Sequence, residues 1–534
     1  MSYIKKGALI ISLFLIITSV FASDVNYLII TADRFYNAIQ PLAQWKNQKG
    51  VITRVVKLSQ VGGNDPKLIR NFIANAYNNS YPKLEYVLLV GDINFIHPYE
   101  HPDCGRTDNP YADIGGDAQL ELSIGRLPCR NVPQLRSMVN KIFLHERTPY
   151  LSDTLWYRKA TTIRQDPGPY HNAGAHFVHS LILDHSNYQL VDTFWTPSNN
   201  AAEVSESIIQ GRSYVLYIGH GAGSYWPEPF NVRPSIRNGK KFPIIFSWSC
   251  QTLLRTGYLG QRWLKAGTVR NPYGAVAYIG STTSGLYARY RNFVARNFFR
   301  AIFEHHIDNI GKALKEGLDS LWTYTPDSFG RTLYPEWNLL GDPEMNLWTQ
   351  VPKPMRAVFD TSIGTGKQTF TVNVMTIDRN PITNALVCVM SERDTNCYYY
   401  GYTDNLGKTE LIINPAISGP ISVTVTAQNF IPFEGRCLVV SNSSINIAQT
   451  QNSINADDSS ILWNPIQTLL TVRISPILGY KTLKIFDVMG RLVRSVELKW
   501  KNNRISLDGI KNGVYFVSLE TESGWKSKKI IFLK

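Results

Sequence analysis

No low-complexity tract dominates the chain. Its apolar (44%) and charged (18%) fractions are those of a soluble globular protein, which excludes wholesale disorder. Beyond its first two dozen residues it has no apolar run of the roughly 20 residues that a membrane span requires. It also lacks any nucleic-acid-binding motif. The net charge of +14 is scattered through periodic segments, a pattern that serves solubility or attraction to acidic surfaces, so no nucleic-acid partner is expected. Cysteine is scarce, with six residues in 534. Cys104, Cys129 and Cys250 lie far apart, whereas Cys388, Cys397 and Cys437 share one later region. That spacing argues against a dense disulfide framework and leaves room for one local bridge among the last three.

What is present begins with an export signal. Lys5 and Lys6 precede an apolar run over residues 8–20, and Val20-Phe21-Ala22 supplies small residues at the cleavage positions. This is the pattern of a signal peptide over residues 1–22, and the apolar run is shorter than a membrane anchor needs. The mature chain is expected to start near Ser23, to leave the cytoplasm and to carry no transmembrane segment. Its length implies three or four domains.

From residue 25 onward, short apolar runs alternate with helical patterns. Val25-Asn26-Tyr27-Leu28-Ile29-Ile30, residues 51–56 and Tyr86-Val87-Leu88-Leu89-Val90 read as strands, with helices between them and over residues 67–76. Residues 213–218, 242–247 and 274–279 read as three more strands, ending at Gly219, just before Cys250, and at Gly280. This alternation predicts a parallel sheet covered on both faces, with any ligand site beyond the carboxyl ends of its strands. After Trp348 the period changes to two, as in Thr369-Phe370-Thr371-Val372-Asn373-Val374, which predicts a β-sandwich over about 352–440. Residues 441–460, rich in Ser and Asn, read as a linker, and a second short β domain fills 461–534.

Two strand ends carry reactive side chains. Gly219-His220-Gly221 follows one predicted strand and Ser249-Cys250 follows the next. Neighbouring strands lie about 4.8 Å apart, so residues just past both ends can face each other. A thiol is only a few per cent thiolate at neutral pH, and a nearby imidazole makes the reactive form available. The amides of Gly221 and Cys250 are candidate oxyanion donors. On spacing alone the structural alternatives stand beside this reading: a buried cysteine acting as a small hydrophobe and a histidine serving a Gly-rich turn. The glycine-rich segment is no phosphate loop, because the Lys-Ser/Thr pair is missing.

Residues of about 24 to 350 resemble the gingipain family of cysteine peptidases. The resemblance is carried by Tyr86-Val87-Leu88-Leu89-Val90-Gly91-Asp92, Asp117 and Ile124-Gly125-Arg126-Leu127-Pro128. It continues through Tyr217-Ile218-Gly219-His220-Gly221, Phe246-Ser247-Trp248-Ser249-Cys250, Gly274-Ala275-Val276-Ala277-Tyr278-Ile279-Gly280-Ser281 and Leu340-Gly341-Asp342-Pro343. It implies a caspase-like three-layer α/β/α domain, with subdomains of about 24–155 and 156–350, followed by two all-β sandwich domains. It further implies peptide-bond hydrolysis through a thioester, with His220 and Cys250 as the dyad and Asp166 orienting the histidine. Asp166 stands where a Glu is expected, and an Asp capping the turn before Pro167 is an equal reading. The family's Arg-specific members place an acidic residue about one helical stretch beyond the orienter. No carboxylate occurs in Asn172-Ala173-Gly174-Ala175-His176-Phe177, so an Arg pocket of that design is not expected. The peptidase region follows the signal peptide directly, which leaves no room for a long propeptide.

Residues of about 352–440 resemble the immunoglobulin-like domain that follows the peptidase in this family. Residues 461–534 resemble the sorting domain of type IX secretion, through Trp463-Asn464-Pro465, Lys484-Ile485-Phe486-Asp487-Val488-Met489-Gly490-Arg491 and Asn512-Gly513-Val514-Tyr515-Phe516-Val517. The resemblance implies export through the periplasm, the type IX machinery as a partner, and a secreted or surface location. The expectation is a cysteine endopeptidase acting on proteins or peptides. Its rivals are a sortase-like transpeptidase and an adhesin with a silent peptidase-like domain. Catalysis needs no cofactor. Asp108, Asp113 and Asp117 are candidate ligands of a structural calcium ion, set against the reading of solvated loop acids.

Overall fold

A run such as Tyr86–Val90 has no polar side, so it forms a strand only where both faces are covered. The computed structural model of the protein describes residues 25–185, 187–253, 255–285, 288–324 and 333–441, and most of 460–532. The expected signal peptide and most of the expected linker lie outside the described residues. Ten strands form one sheet: β1 (Tyr27–Thr31), β2 (Thr53–Lys57), β3 (Tyr86–Val90), β4 (Ser123–Leu127), β5 (Lys159–Arg164), β6 (Leu190–Trp195), β7 (Tyr214–Ile218), β8 (Ile244–Trp248), β9 (Ala277–Ser281) and β10 (Trp337–Leu340). Their spatial order is β2-β1-β3-β4-β10-β9-β8-β7-β5-β6. The helices include α1 (Tyr36–Gln48), α2 (Pro66–Asn79), α3 (Val132–Glu146), α4 (Pro169–Asp184), α5 (Ala201–Gln210), α6 (Ala288–Phe303) and α7 (Ile310–Tyr324).

The sheet is not parallel throughout, which corrects the sequence expectation. Pairing is parallel from β2 across to β10 and again from β9 across to β6, but β9 and β10 run antiparallel. Two parallel blocks therefore point in opposite directions. The junction is tight: the Gly341 amide donates to the Arg126 carbonyl at 2.9 Å, and a Cβ on Gly125 would lie 2.5 Å from the Gly341 carbonyl oxygen. The two Gly-containing segments around Gly125 and Gly341 thus meet in space, where a side chain on Gly125 has no room.

Behind this junction a buried charge network ties the N-terminal block together. Lys46 on α1 reaches Glu146 at 2.9 Å, Asp342 at 2.7 Å and Glu344 at 2.5 Å, while Lys49 reaches Glu146 at 2.9 Å and Glu344 at 2.7 Å. Burial pushes the Glu146 carboxyl up, but the two ammonium groups outweigh it and hold it below its usual range. Tyr27 on β1 donates to Asp342 at 2.5 Å. A second buried pair, Arg126 with Asp108, is bidentate, with both contacts at 2.7 Å.

Past β10 the chain forms a two-sheet sandwich. One sheet holds Met355–Val358, Gln368–Thr376 and Lys408–Ile413; the other has five strands in the order Ser362–Gly364, Phe433–Val440, Gly419–Thr426, Leu386–Ser391, Tyr398–Tyr402. Phe370, Val372, Val387, Val389, Ile421 and Val423 fill the space between them, as the period of two requires. The sandwich packs on the peptidase region through the Arg147 fork on Glu434, with contacts of 2.7 and 2.6 Å, and through Tyr398, which donates to the Asn47 carbonyl at 3.0 Å. Residues 442–534 form a separate unit. It contains a three-stranded and a four-stranded antiparallel sheet around Leu470, Val472, Leu483, Ile485, Val517 and Leu519. No helix among the described residues is long and apolar enough to cross a membrane. None of the six cysteines is paired, so the local bridge allowed among Cys388, Cys397 and Cys437 is absent and all three are buried thiols.

The Lys46 network sets a stability test. Lys46→Met leaves Glu146, Asp342 and Glu344 buried with one cation among them, and should cost about 3–5 kcal/mol in urea unfolding of the mature protein at neutral pH.

Candidate active site

Strands β7 and β8, Tyr-Val-Leu-Tyr-Ile and Ile-Ile-Phe-Ser-Trp, are buried at every position. They pair in parallel with Tyr214 opposite Ile244 and Ile218 opposite Trp248, and the Gly219 amide extends the ladder to the Trp248 carbonyl at 3.1 Å. His220 and Cys250 are each two residues past the last pair, on adjacent strand ends. The next residue brings the backbones together. A Cβ on Gly221 would lie 2.0 Å from the Cys250 carbonyl oxygen and 2.8 Å from the Cys250 nitrogen. Only glycine permits this approach.

The turn that carries Cys250 is held by the neighbouring strand end. Gln251 takes a left-handed backbone conformation (φ 48°), and its amide donates to the Thr283 carbonyl at 2.9 Å. The Thr252 amide donates to the Ser281 carbonyl at 3.1 Å. Left-handed geometry at a residue with a side chain is mildly strained, and here two bonds to the end of β9 hold it. Cys250 is partly exposed, whereas the other five cysteines are buried. Among the described residues, no protein acceptor takes the amides of Gly221 or Cys250, which remain available to a ligand.

On the histidine side, Gln165 just past β5 organises the loop. Its Oε1 accepts from the His220 amide at 2.9 Å and lies 2.8 Å from the Tyr217 hydroxyl, and its Nε2 donates to the Glu228 carbonyl at 2.6 Å. Tyr217 also lies 2.8 Å from the His220 carbonyl oxygen and stacks on Trp226 at 4.2 Å. Burial pushes the Tyr217 hydroxyl well above its usual value, so it stays neutral. Gln165 was visible in sequence as the residue before Asp166 but carried no signal of its own.

Asp166 has different immediate partners from those the resemblance implied. One carboxylate oxygen accepts from the Gly168 amide at 2.9 Å, and the other lies 3.5 Å from Nδ1 of His171, not against His220. His171 packs on Trp248 at 5.3 Å. Burial pushes its imidazole below the usual range, with Asp166 opposing and the neighbouring His220 and Arg291 adding to the depression. The helix that follows, α4, lies against Trp248: a Cβ on Gly174 would sit 2.6 Å from its ring.

Arg291, on the first turn of α6, was not foreseen. Its Nη1 donates to the Cys250 sulfur at 3.4 Å. Nε and Nη2 donate to Glu336 at 3.1 and 2.9 Å, and Nη2 also reaches Thr283 Oγ1 at 3.0 Å and Ser281 Oγ at 3.1 Å. Burial works against the guanidinium charge, but Glu336 and the Cys250 sulfur outweigh it and raise its proton affinity. Nothing in the local sequence marks this arginine, which lies 41 residues beyond the cysteine.

The three acids proposed to hold calcium do not converge. Asp108 is taken by Arg126, Asp113 accepts from the amides of Gly116 and Ala118, and Asp117 accepts from that of Gln119. Among the described residues, the acids that do converge are Glu146, Asp342 and Glu344, and the cation at their centre is the Lys46 ammonium.

Comparison with known proteins identifies the family. The model of peptidase family C25 matches residues 22–348, and that of a secretion system C-terminal sorting domain matches residues 460–533. Gingipain R2 of Porphyromonas gingivalis is 25% identical over 524 residues, covering 94% of this chain and 67% of that protein. Gingipain R1 of the same species is 25% identical over 356 residues, covering 63% of this chain and 35% of that protein. The crystal structure of the Arg-specific cysteine proteinase gingipain R superposes with a TM-score of 0.71 at 22% identity, over 78% of this chain and 98% of that one, which establishes the caspase-like α/β fold. The sorting domain marks a secreted or cell-surface protein of the type IX pathway. By the extent of the family match, and with a cysteine and a histidine at adjacent strand ends, the chain belongs to peptidase family C25, the gingipain family of cysteine peptidases.

Proposed function

We propose that the protein is a secreted cysteine endopeptidase that cleaves peptide bonds with Cys250 as nucleophile and His220 as proton carrier. The observation that carries this reading is the close approach of the Gly221 backbone to that of Cys250, at two strand ends that carry His220 and Cys250 at equal offsets from the Ile218–Trp248 pair. With the Cys250 thiol proton passed to His220, the sulfur attacks the scissile carbonyl carbon, and the carbonyl π pair moves to oxygen. The amides of Gly221 and Cys250 donate to that oxygen, where charge grows in the transition state. His220 gives its proton to the leaving amine as the C–N bond breaks, which leaves a thioester on Cys250. Water, losing a proton to His220, then attacks the thioester and releases the acid. His220 is exposed and Cys250 partly so, which lets an extended peptide reach both from solvent.

The other sequence-derived roles are weighed by position. Asp166 faces His171, so it acts on His220 at most indirectly, through the charge it sets beside the neighbouring ring. None of these steps uses a metal or cofactor.

Substitutions separate these roles, measured as kcat/KM on a mixed peptide library with circular dichroism as the fold control. Cys250→Ala should reduce hydrolysis to background, and His220→Ala should lower it by about 10²–10⁴-fold; substantial turnover in either variant would end the dyad reading. Gly221→Ala forces the histidine loop off the nucleophile turn and should cost about 10²–10³-fold, the worth of an oxyanion donor. Asp166→Asn should cost less than about tenfold, because a second-tier charge contributes less than the proton carrier itself.

A further inference from the structure

We infer that Arg291 is a third catalytic residue, whose fixed guanidinium contacts the Cys250 sulfur and holds it as a thiolate before substrate arrives. The inference rests on the cysteine-peptidase reading above and assigns the charge that balances its nucleophile.

The geometry leaves the guanidinium little freedom. Arg291 is 3% exposed. Glu336 takes its Nε–Nη2 edge, Ser281 and Thr283 at the end of β9 take Nη2 again, and Nη1 is directed at the sulfur. Glu336 is itself fully buried and also accepts from Ser281 Oγ at 2.8 Å and from Thr283 Oγ1. The cation is therefore built into the sheet end that also holds the nucleophile turn through the Gln251 and Thr252 amides. A neutral thiol is a weak acceptor, and a buried guanidinium N–H is better satisfied by a thiolate. A cation beside a cysteine favours the thiolate for the same reason that such cysteines are reactive.

The other titratable groups do not supply this charge. Glu336 is anionic and lies on the opposite edge of the guanidinium. Tyr217 is neutral through burial, and Cys104, which shares the Arg291–Glu336 surroundings, is a buried thiol pushed up by desolvation. His171 is pushed towards its neutral form by burial, with Asp166 beside it. His220 is exposed to solvent and is needed as the proton donor to the leaving amine. With Arg291 balancing the sulfur, the thiol proton has already passed to His220 when substrate binds, and it is kept there for the C–N bond.

The test reads the sulfur directly. Full-length protein without its leader is treated with iodoacetamide at pH 6.5 and 9.5, and carboxamidomethylation of Cys250 is followed by mass spectrometry. An ordinary thiol is about 1% thiolate at the lower pH and mostly thiolate at the higher, so its rates differ about a hundredfold. Wild type and His220→Ala are both expected to differ by less than about fivefold. The Arg291→Met/Glu336→Gln double variant, which leaves no orphaned charge, is expected to return towards the hundredfold dependence. A steep profile in wild type or His220→Ala overturns the inference, as does a flat profile in the double variant. His220 is exposed, so the decisive arm does not depend on a core substitution. Alkylation requires no turnover: a flat profile in a protein that cleaves no peptide would sink the peptidase reading and spare this one.

Discussion

In the register of β7 on β8, Ile218 lies opposite Trp248 and the Gly219 amide donates to the Trp248 carbonyl. Sliding one strand by a residue would separate His220 from Cys250 by a further strand step and break the backbone approach at Gly221. Both strands are buried along their whole length, and a slip would also exchange which side chains face each helical layer. The chemistry of the site therefore inherits its precision from the core. The glycine beside the histidine is the local condition for this arrangement, since any Cβ there would overlap the Cys250 carbonyl.

Around that ladder, buried ion pairs join segments of the fold. Lys46 and Lys49 gather three carboxylates behind the β10 turn, Arg126 clasps Asp108, and Arg291 clasps Glu336. Such pairs add little net stability compared with apolar packing, but removing one partner strands a charge in a low dielectric. They act as staples between segments remote in sequence: Lys46 with Asp342, Asp108 with Arg126, Arg291 with Glu336. An acidic side chain that looks free in sequence can already be spent in such a staple, as Asp108 is.

Much of the architecture was legible because its signals are local. Tyr86–Val90 has the bounds that its apolar run and the following Gly91-Asp92 predict. The strands before His220 and Cys250 are each found within two residues of expectation. The reversal at β10 was not legible: Trp337–Leu340 is four residues long, and strand direction depends on how α7 returns the chain to the sheet. The partner of Asp166 was also beyond sequence, because it depends on which face of α4 carries His171. Arg291 is invisible for a similar reason: it lies 41 residues beyond Cys250, on the first turn of α6, and only packing brings it to the sulfur.

The sequence by itself determined the compartment, the order of the domains and the family, and it named the candidate pair at the two strand ends, since each is written in short contiguous patterns of hydrophobicity, glycine and side-chain type. Only the tertiary structure decided the direction of the strands, the use of the buried carboxylates and the cation against the sulfur. Those features are distances between segments far apart along the chain, and such distances exist only once the core has closed around them.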